Sequence, residues 1–150
     1  MYYFRGMLEG LIVEQVGPQL YDHIRSVYDA SNYKGGILPE DRGILATLNG
    51  VPVGGVRLTH EHGVLMLRGM MVKPGYQRQG IGKAMLEVLD KYIANNSCYL
   101  VGRVHLQSFY GSIGFETITS HTAPQFIAER VKKYNEESLK CVIMYRRDRS

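Results

Sequence analysis

One segment of the chain combines an apolar run, a proline turn, two glycines and several basic or amide side chains, and this combination suits phosphate binding. It reads MMVKPGYQRQGIGKAML and covers residues 70–86. The apolar run predicts the end of a strand, and the loop with Gly80 and Gly82 then leads into a helix. Amide groups at a helix N-terminus lack partners inside the helix and carry the positive end of its dipole. Glycine lets a diphosphate come close to that backbone.

The spacing of this loop differs from that of two common phosphate-binding motifs. A dinucleotide-binding loop has the pattern G-x-G-x-x-G, and a P-loop has G-x-x-x-x-G-K-[ST]. The pattern here is Q-x-x-G-x-G, preceded by V-x-P, and Arg78 and Lys83 add positive charge at its rim. An ordinary glycine-rich turn between a strand and a helix is the alternative interpretation. A second segment, FYGSIGF at residues 109–115, becomes informative together with the first.

Hydrophobic periodicity predicts the elements that must position these segments. Strands are expected at 11–15, 44–48, 51–59, 64–72, 99–104, 115–119 and 140–146, and helices at 18–32, 80–95 and 106–113. Asn49-Gly50 predicts a two-residue hairpin turn. Apolar spacing after Pro124 indicates one more helix before the last strand. This order predicts a mixed sheet with helices packed on it, a layered domain of the α/β type.

The composition indicates one globular domain that spans residues 1–150. This length can bury a core, and 45% hydrophobic with 21% charged residues is typical of globular proteins. No apolar run approaches the roughly 20 residues of a membrane span, and residues 1–5 lack signal-peptide features, so we expect a cytoplasmic location. Cys98 and Cys141 are expected to be reduced core residues. The net charge of +4 is mild, and no basic stripe with interleaved aromatics indicates nucleic-acid binding.

In this order, the phosphate-binding segment and F-Y-x-x-x-G-F resemble the motifs of the GNAT N-acetyltransferase superfamily. The resemblance implies a central mixed, mostly antiparallel β-sheet with splayed central strands and helices on both faces. It also implies that acetyl-CoA is the cosubstrate and that the acetyl group is transferred to an amine of a small molecule or peptide. The helix inserted between the last two strands is the main departure from the family pattern.

The resemblance further implies which residues bind the cosubstrate. The backbone of residues 70–72 would pair with the pantetheine amides as an added strand does, and an amide near Met70 would polarise the thioester carbonyl. The backbone of residues 78–83 would hold the pyrophosphate. The cosubstrate-binding residues expected on this basis are Met70, Met71, Val72, Gln77, Arg78, Gln79, Gly80, Ile81, Gly82, Lys83 and Arg103. The side chains of Met70 and Met71 can pack in the core at the same time.

Tyr110, the tyrosine of F-Y-x-x-x-G-F, is the expected acid that protonates the leaving thiolate. A phenol has a pKa of about 10, close enough to that of an alkyl thiol for an even-handed transfer. The positions where some relatives carry a base hold Met66, Arg68 and Cys98 here. His105 is the candidate base, but a strand-end histidine can also serve only to satisfy hydrogen bonds, and a chain of waters could relay the proton.

The segments at 28–42 and 121–139 are expected to build the acceptor pocket, and their tyrosines and charges do not name the amine. Arg103, where the family often has Asn, could contact CoA or a carboxylate on the substrate. The oligomeric state is not fixed by the sequence, and a homodimer stays open. Two other functions also stay open: a non-catalytic acyl-CoA sensor, because no base is evident, and a nucleic-acid-associated protein, because the chain is basic.

Overall fold

The computed structural model describes the backbone of residues 3–5 and all of residues 8–150. The strands are β1 (Tyr3–Arg5), β2 (Leu11–Val16), β3 (Arg42–Leu48), β4 (Val51–Glu61), β5 (Val64–Val72), β6 (Cys98–Arg103), β7 (Glu116–Ile118) and β8 (Cys141–Arg146). The α-helices are α1 (Tyr21–Ala30), α2 (Ile81–Ile93), α3 (Gln107–Gly111) and α4 (Gln125–Glu136). In this part of the chain the strands form one sheet in the order β1-β2-β3-β4-β5-β6-β8-β7.

The sheet is mixed and mostly antiparallel, and its central strands splay apart, as the sequence predicted. Of the neighbouring strands, only β5 and β6 run parallel. Their ladder has a single pair of partners, Met66 and Tyr99, near the start of both strands. Beyond that pair the two strands separate, and the sheet opens toward the carboxyl end of β5.

A β-bulge in β5 lies where this separation begins. Gly69 and Met70 together face only Val56 on β4, between the regular ladder pairs Gly55–Met71 and Arg57–Arg68. Gly69 has a φ of 64°, and a Cβ atom there would lie 2.4 Å from the hydroxyl oxygen of Tyr28. Only glycine fits both conditions without strain. Because a bulge bends the strand that carries it, the second half of β5 turns away from β6.

The helices cover both faces of the sheet, again as predicted. On one face, α2 packs against β2 to β6 through residues such as Met85 and Leu89. On the other face, α1 packs on β3 through Ile24 and Leu45, and α4 packs on β8 through Ile127 and Ile143. The gap between α1 and α4 lies over the place where β5 and β6 diverge.

The predicted elements differ from the observed ones mainly at their ends. The helix predicted at 106–113 is a 3-10 turn, Val104–Leu106, followed by the shorter α3. The three-residue β1 was not predicted, because so short an edge strand has no measurable periodicity. Cys98 and Cys141 are both free and buried, as expected.

Within the described residues, no helix has the length and apolarity that crossing a bilayer requires. The expectation that the chain begins without a signal peptide concerns residues 1–5. Of these, only the backbone of β1 lies within the described residues, so this expectation stays a prediction.

Candidate active site

A cleft of about 440 Å³ occupies the opening between β5 and β6. Its floor is the backbone and side chains of residues 66–71 and 100–103. One wall is the segment Tyr33 to Gly35, and the other is the C-terminal half of α4 with the segment that follows it. The cleft also contains Tyr110 of α3. Its size is that of a small-molecule site.

The second half of β5 offers backbone groups to this cleft. Residues 71 and 72 pair with β4 on one side, and β6 provides no ladder partner beyond Met66 on the other. An extended ligand can pair with such an open strand edge. The side chain of Gln77 donates to the carbonyl of Val72 at 3.1 Å and so ties the following loop to the end of the strand.

The loop from β5 to α2 has the backbone of an anion-binding nest. Arg78 and Gly80 have φ angles of 64° and 85°, in the left-handed region. Such residues between right-handed ones turn successive amides toward one side. Within the described residues, no amide from position 77 to 83 donates to a protein acceptor, and the first bonded amide is that of Ala84, 3.1 Å from the Gly80 carbonyl.

Two further observations indicate that these amides can bind an anion. They stand at the N-terminus of the 13-residue helix α2, where the helix dipole favours an anion. Gly80 is the N-cap residue, with no side-chain cap, and a Cβ atom there would meet no atom within 4 Å. The exposed side chains of Arg78 and Lys83 flank this open space. The arrangement can hold a diphosphate.

The two sequence motifs meet at Gly82. A Cβ atom on Gly82 would lie 3.2 Å from Cζ of Phe109, so the first turn of α2 packs closely on the aromatic segment. Phe109 in turn contacts Tyr110 edge-to-face, with ring centroids 5.1 Å apart. Helix α2 therefore packs on the segment that carries the tyrosine predicted to act as the acid.

Tyr110 is only 6% exposed, and no described residue hydrogen-bonds its hydroxyl. Burial raises the pKa of Tyr110 above the ordinary value for tyrosine. A hydroxyl with a raised pKa stays protonated at neutral pH. It is therefore a protonated hydroxyl that lines a cleft and lacks a protein acceptor, and its raised pKa makes proton transfer to a thiolate less even-handed than it is for a free phenol.

The two other side chains predicted to act in the site, Arg103 and His105, differ in their position. Arg103 lines the cleft, and its Nη1 donates to the carbonyl of Leu139 at 3.0 Å. His105 is exposed on the 3-10 turn after β6 and is not among the residues that line the cleft. Among the described residues that line the cleft, the one carboxylate is that of Glu137, directly after α4. His105 stays a prediction from the sequence.

The family is identified by a match to the sequence profile of the acetyltransferase (GNAT) domain over residues 39–117, just over half of the chain. The chain belongs to the GNAT family. It is a GNAT-type N-acetyltransferase, and the prediction made from the two motifs is confirmed. Both motifs lie inside the matched range. No curated protein sequence matches this acetyltransferase.

Solved structures share the fold of this acetyltransferase at low sequence identity. Ribosomal-protein-S18-alanine N-acetyltransferase from Escherichia coli is 17% identical with a TM-score of 0.64, and the match covers 91% of this chain and 92% of that one. Arabidopsis thaliana Naa50 with the bisubstrate analogue CoA-Ac-MVNAL is 18% identical with a TM-score of 0.63, covering 91% and 98%. N-acetylglutamate synthase from Neisseria gonorrhoeae, complexed with coenzyme A and L-arginine, is 16% identical with a TM-score of 0.65, covering 93% and 34%.

The α4 side of the cleft contains a charged network that the sequence did not single out. Arg130 of α4 donates to both carboxylate oxygens of Glu61, at 2.7 and 3.1 Å. Arg68 of β5 lies 3.5 Å from the same carboxylate and 3.4 Å from the hydroxyl of Tyr134. Residues 130 and 134 are one helical turn apart, so their spacing was a signal that both face the sheet.

This network lowers the pKa of the Glu61 carboxyl. Burial by itself would raise that pKa, but the hydrogen bond from Arg130 and the positive charges of Arg68 and Arg130 outweigh burial. Glu61 is therefore ionised at neutral pH, and its charge is held mainly by Arg130.

A second buried ion pair anchors the wall that carries Tyr33 and Lys34. The Oδ2 atom of Asp41 accepts from Nη1 of Arg57 at 2.9 Å and from the amide of Leu38 at 2.8 Å. The hydroxyl of Tyr21 donates to the Asp41 carbonyl. Removal of one partner from such a buried pair is strongly destabilising. The wall of the cleft is thus fixed to α1 and β4.

Proposed function

We propose that residues 1–150 act as one acetyltransferase domain that transfers an acetyl group from acetyl-CoA to an amine of a small molecule or peptide. The observation that carries this proposal is the row of free amides from residue 77 to 83, in the loop that follows the strand β5 whose residues 66–71 line the cleft with Tyr110. Family membership supports acetyl-CoA as the cosubstrate. Structures with the same fold contain coenzyme A or a CoA-based bisubstrate analogue, which agrees with this choice.

The residues present fit this cosubstrate. The amides of residues 78–83 and the charges of Arg78 and Lys83 would bind the diphosphate, because charge-assisted hydrogen bonds to backbone amides are strong. The open edge of β5 at Met70 to Val72 would bind the amides of the pantetheine arm. An amide near Met70 would hold the carbonyl oxygen as charge develops on it.

The bound thioester supplies an activated acyl group, and the protein supplies position and proton transfer. The amine nitrogen forms a bond to the acetyl carbon, the C–S bond breaks, and the amine loses one proton. Tyr110 donates its hydroxyl proton to the departing sulfur, and the tyrosine recovers a proton from solvent. Glu137 is our candidate acceptor of the amine proton, because it lines the cleft and His105 does not.

Tyr110→Phe tests this function. We expect kcat to fall by about 100-fold, the lower end of the general acid–base range, while the Kd for CoA changes little because the hydroxyl acts in the transition state. Release of CoA thiol with a panel of amines measures turnover, and calorimetry measures binding. Tyr145→Phe is the matched control, since Tyr145 stacks on Tyr99 outside the cleft.

Two outcomes contradict this account. Equal losses of turnover and CoA binding would make Tyr110 a binding residue only. No turnover of any amine by the wild-type protein, with tight CoA binding, would support the sensor hypothesis instead. Cytoplasmic location and the open homodimer stay predictions from the sequence.

A further inference from the structure

The acceptor end of the cleft is positively charged. Lys34, Arg68 and Arg130 line it, and Glu137 is the acidic side chain in the described lining. Glu61 lies behind the two arginines and completes their network. A charged side chain in this cleft can bind a ligand only if its hydrogen-bond donors are not already used within the protein.

Glu61 is already occupied by Arg130. Two N–H groups of Arg130 contact its two carboxylate oxygens at 2.7 and 3.1 Å, which is the bidentate geometry of a strong pair. Arg68 reaches the same carboxylate only at 3.5 Å, and its other contact, to Tyr134, is 3.4 Å. Both distances are at the long limit for a hydrogen bond. Arg68 is thus a cation without a close partner.

Arg68 is also shielded from solvent. Its side chain is 23% exposed and so is partly buried, and even partial burial makes a charge without a close partner less favourable. A guanidinium has a planar fork of donors that matches a carboxylate. A carboxylate that enters the cleft would supply the close partner that the protein itself does not provide.

The position of Arg68 places such a carboxylate near the reacting amine. Arg68 lies two residues before Met70, across the bulge at Gly69, so the two residues are at most about 7 Å apart along the chain, and the thioester carbonyl is assigned to the Met70 region. A small molecule whose amine and carboxylate are separated by a few bonds would fit this spacing.

Resting on the proposed function, we propose that the acceptor is an amino carboxylic acid whose carboxylate is bound by Arg68, with the hydroxyl of Tyr134 beside it. Lys34, on the opposite wall, adds positive charge to the same space. A peptide N-terminus would bring a neutral amide to Arg68 and would leave this charge unpaired.

The test compares sets of amines that differ only at the carboxylate. Each set holds an α-amino acid, its carboxamide and the amine that lacks the carboxyl group, and an amine carrying a phosphate is added. CoA release gives kcat/KM for wild type, Arg68→Gln and Arg68→Lys. Arg147→Gln is the control, because it removes the same charge from an exposed site whose nearest carboxylate is 3.6 Å away. Melting temperature and CoA binding report whether each variant is folded.

We expect the wild type to prefer the acid over its carboxamide by about 10-fold or more, because an unmatched charge is left otherwise. Arg68→Gln should abolish this preference by slowing the acid and not the carboxamide, Arg68→Lys should keep part of it, and Arg147→Gln should keep all of it. Equal rates for acid and carboxamide in the wild type would overturn the proposal, even if Arg68→Gln did not fold. Preference for the phosphate-bearing amine or for a peptide would overturn it as well.

Binding of N-acetylated amino acids in the presence of CoA separates this inference from the proposed function. If no amine is acetylated but the N-acetyl acid binds about 10-fold more tightly than its amide, and Arg68→Gln removes the difference, the carboxylate site stands and the enzyme assignment fails. If amines are acetylated, but the amino acid and its N-acetyl product are not preferred over their amides, the enzyme assignment stands and the carboxylate site fails.

Discussion

Replacement of Gly80 by alanine should separate the role of the phosphate-binding loop from its stability. Gly80 has a φ of 85°, and a Cβ atom there meets nothing within 4 Å. Alanine would therefore cost only the backbone strain of the left-handed region, about 1 kcal/mol. For a chain of this size, that corresponds to a fall in Tm of about 2–4 °C.

The effect on CoA binding should be larger, because the added methyl group enters the open space in front of the helix N-terminus. Displacement of the diphosphate would weaken at least one charge-assisted hydrogen bond, worth about 1.5–3 kcal/mol. That loss raises the Kd for CoA by about 10- to 100-fold. Calorimetric titration with CoA measures this change, and thermal unfolding of the ligand-free protein measures the strain.

Gly75→Ala is the matched control for this experiment. Gly75 lies in the same loop, has a φ of 90°, and a Cβ atom on it would also meet nothing within 4 Å. The two substitutions should lower Tm by similar amounts, but Gly75 precedes the free amides, so its substitution should change CoA binding far less. Equal weakening by both variants, or no weakening by Gly80→Ala, would refute the assignment of the diphosphate to the amides of residues 77–83.

Two further predictions concern carboxylates. Glu137→Gln should lower the rate at neutral pH by about 100-fold, and this loss should shrink as the pH approaches that at which the amine deprotonates by itself. A pH–rate profile measures this, with Glu136→Gln as the control. A profile unchanged from wild type would exclude Glu137 as the base. Glu61→Gln should destabilise the protein at pH 7, because the native pKa of Glu61 is lowered, and the difference from wild type should disappear as the pH falls from about 4 through that native pKa. Urea unfolding in steps from pH 7 downward measures the second effect, with the exposed Glu116→Gln as control, and a difference that does not shrink as the pH falls would contradict the ion-pair explanation.

The strand and the helix that flank the loop could be predicted from the sequence because their signals are local, and phosphate binding by the loop stays a prediction. Free amides at a helix start need only the strand-to-helix order and the glycines, and both are readable from residues 70–86. The same holds for the segment FYGSIGF, a short motif whose Phe109 lies beside Gly82 and contacts Tyr110. The structure adds the reason for this spacing, the 3.2 Å approach of the Phe109 ring to the Gly82 position.

The acceptor side could not be predicted in the same way, because its parts are distant in the sequence. Glu61 and Arg130 are 69 positions apart and meet only after α4 folds onto β5. The composition shows tyrosines and charges in residues 121–139, but no local rule predicts which of them pair across a sheet. The burial of Asp41 against Arg57 is a contact of the same kind.

The bulge in β5 lies between the two parts of the strand that the proposals assign to the acceptor and to the cosubstrate. Before the bulge, Leu67 packs with α2 on one face, and Arg68 contacts Tyr134 of α4 on the other. Uninterrupted alternation would place Met70 on the face of Arg68, yet Met70 packs against the α2 cluster, and Met71 packs against the α1 cluster. One inserted residue reverses the alternation.

Because of this reversal, the side chains of Arg68 and Met70 lie on opposite faces of the sheet. Arg68 stays on the face of α1 and α4, from which an acceptor can approach. Past the bulge, the side chain of Met70 fills the core on the opposite face while its backbone edge is left free by β6. Glycine at position 69 is what permits this, because any side chain there would meet the Tyr28 hydroxyl. The chemistry thus depends on a residue that has no functional group of its own.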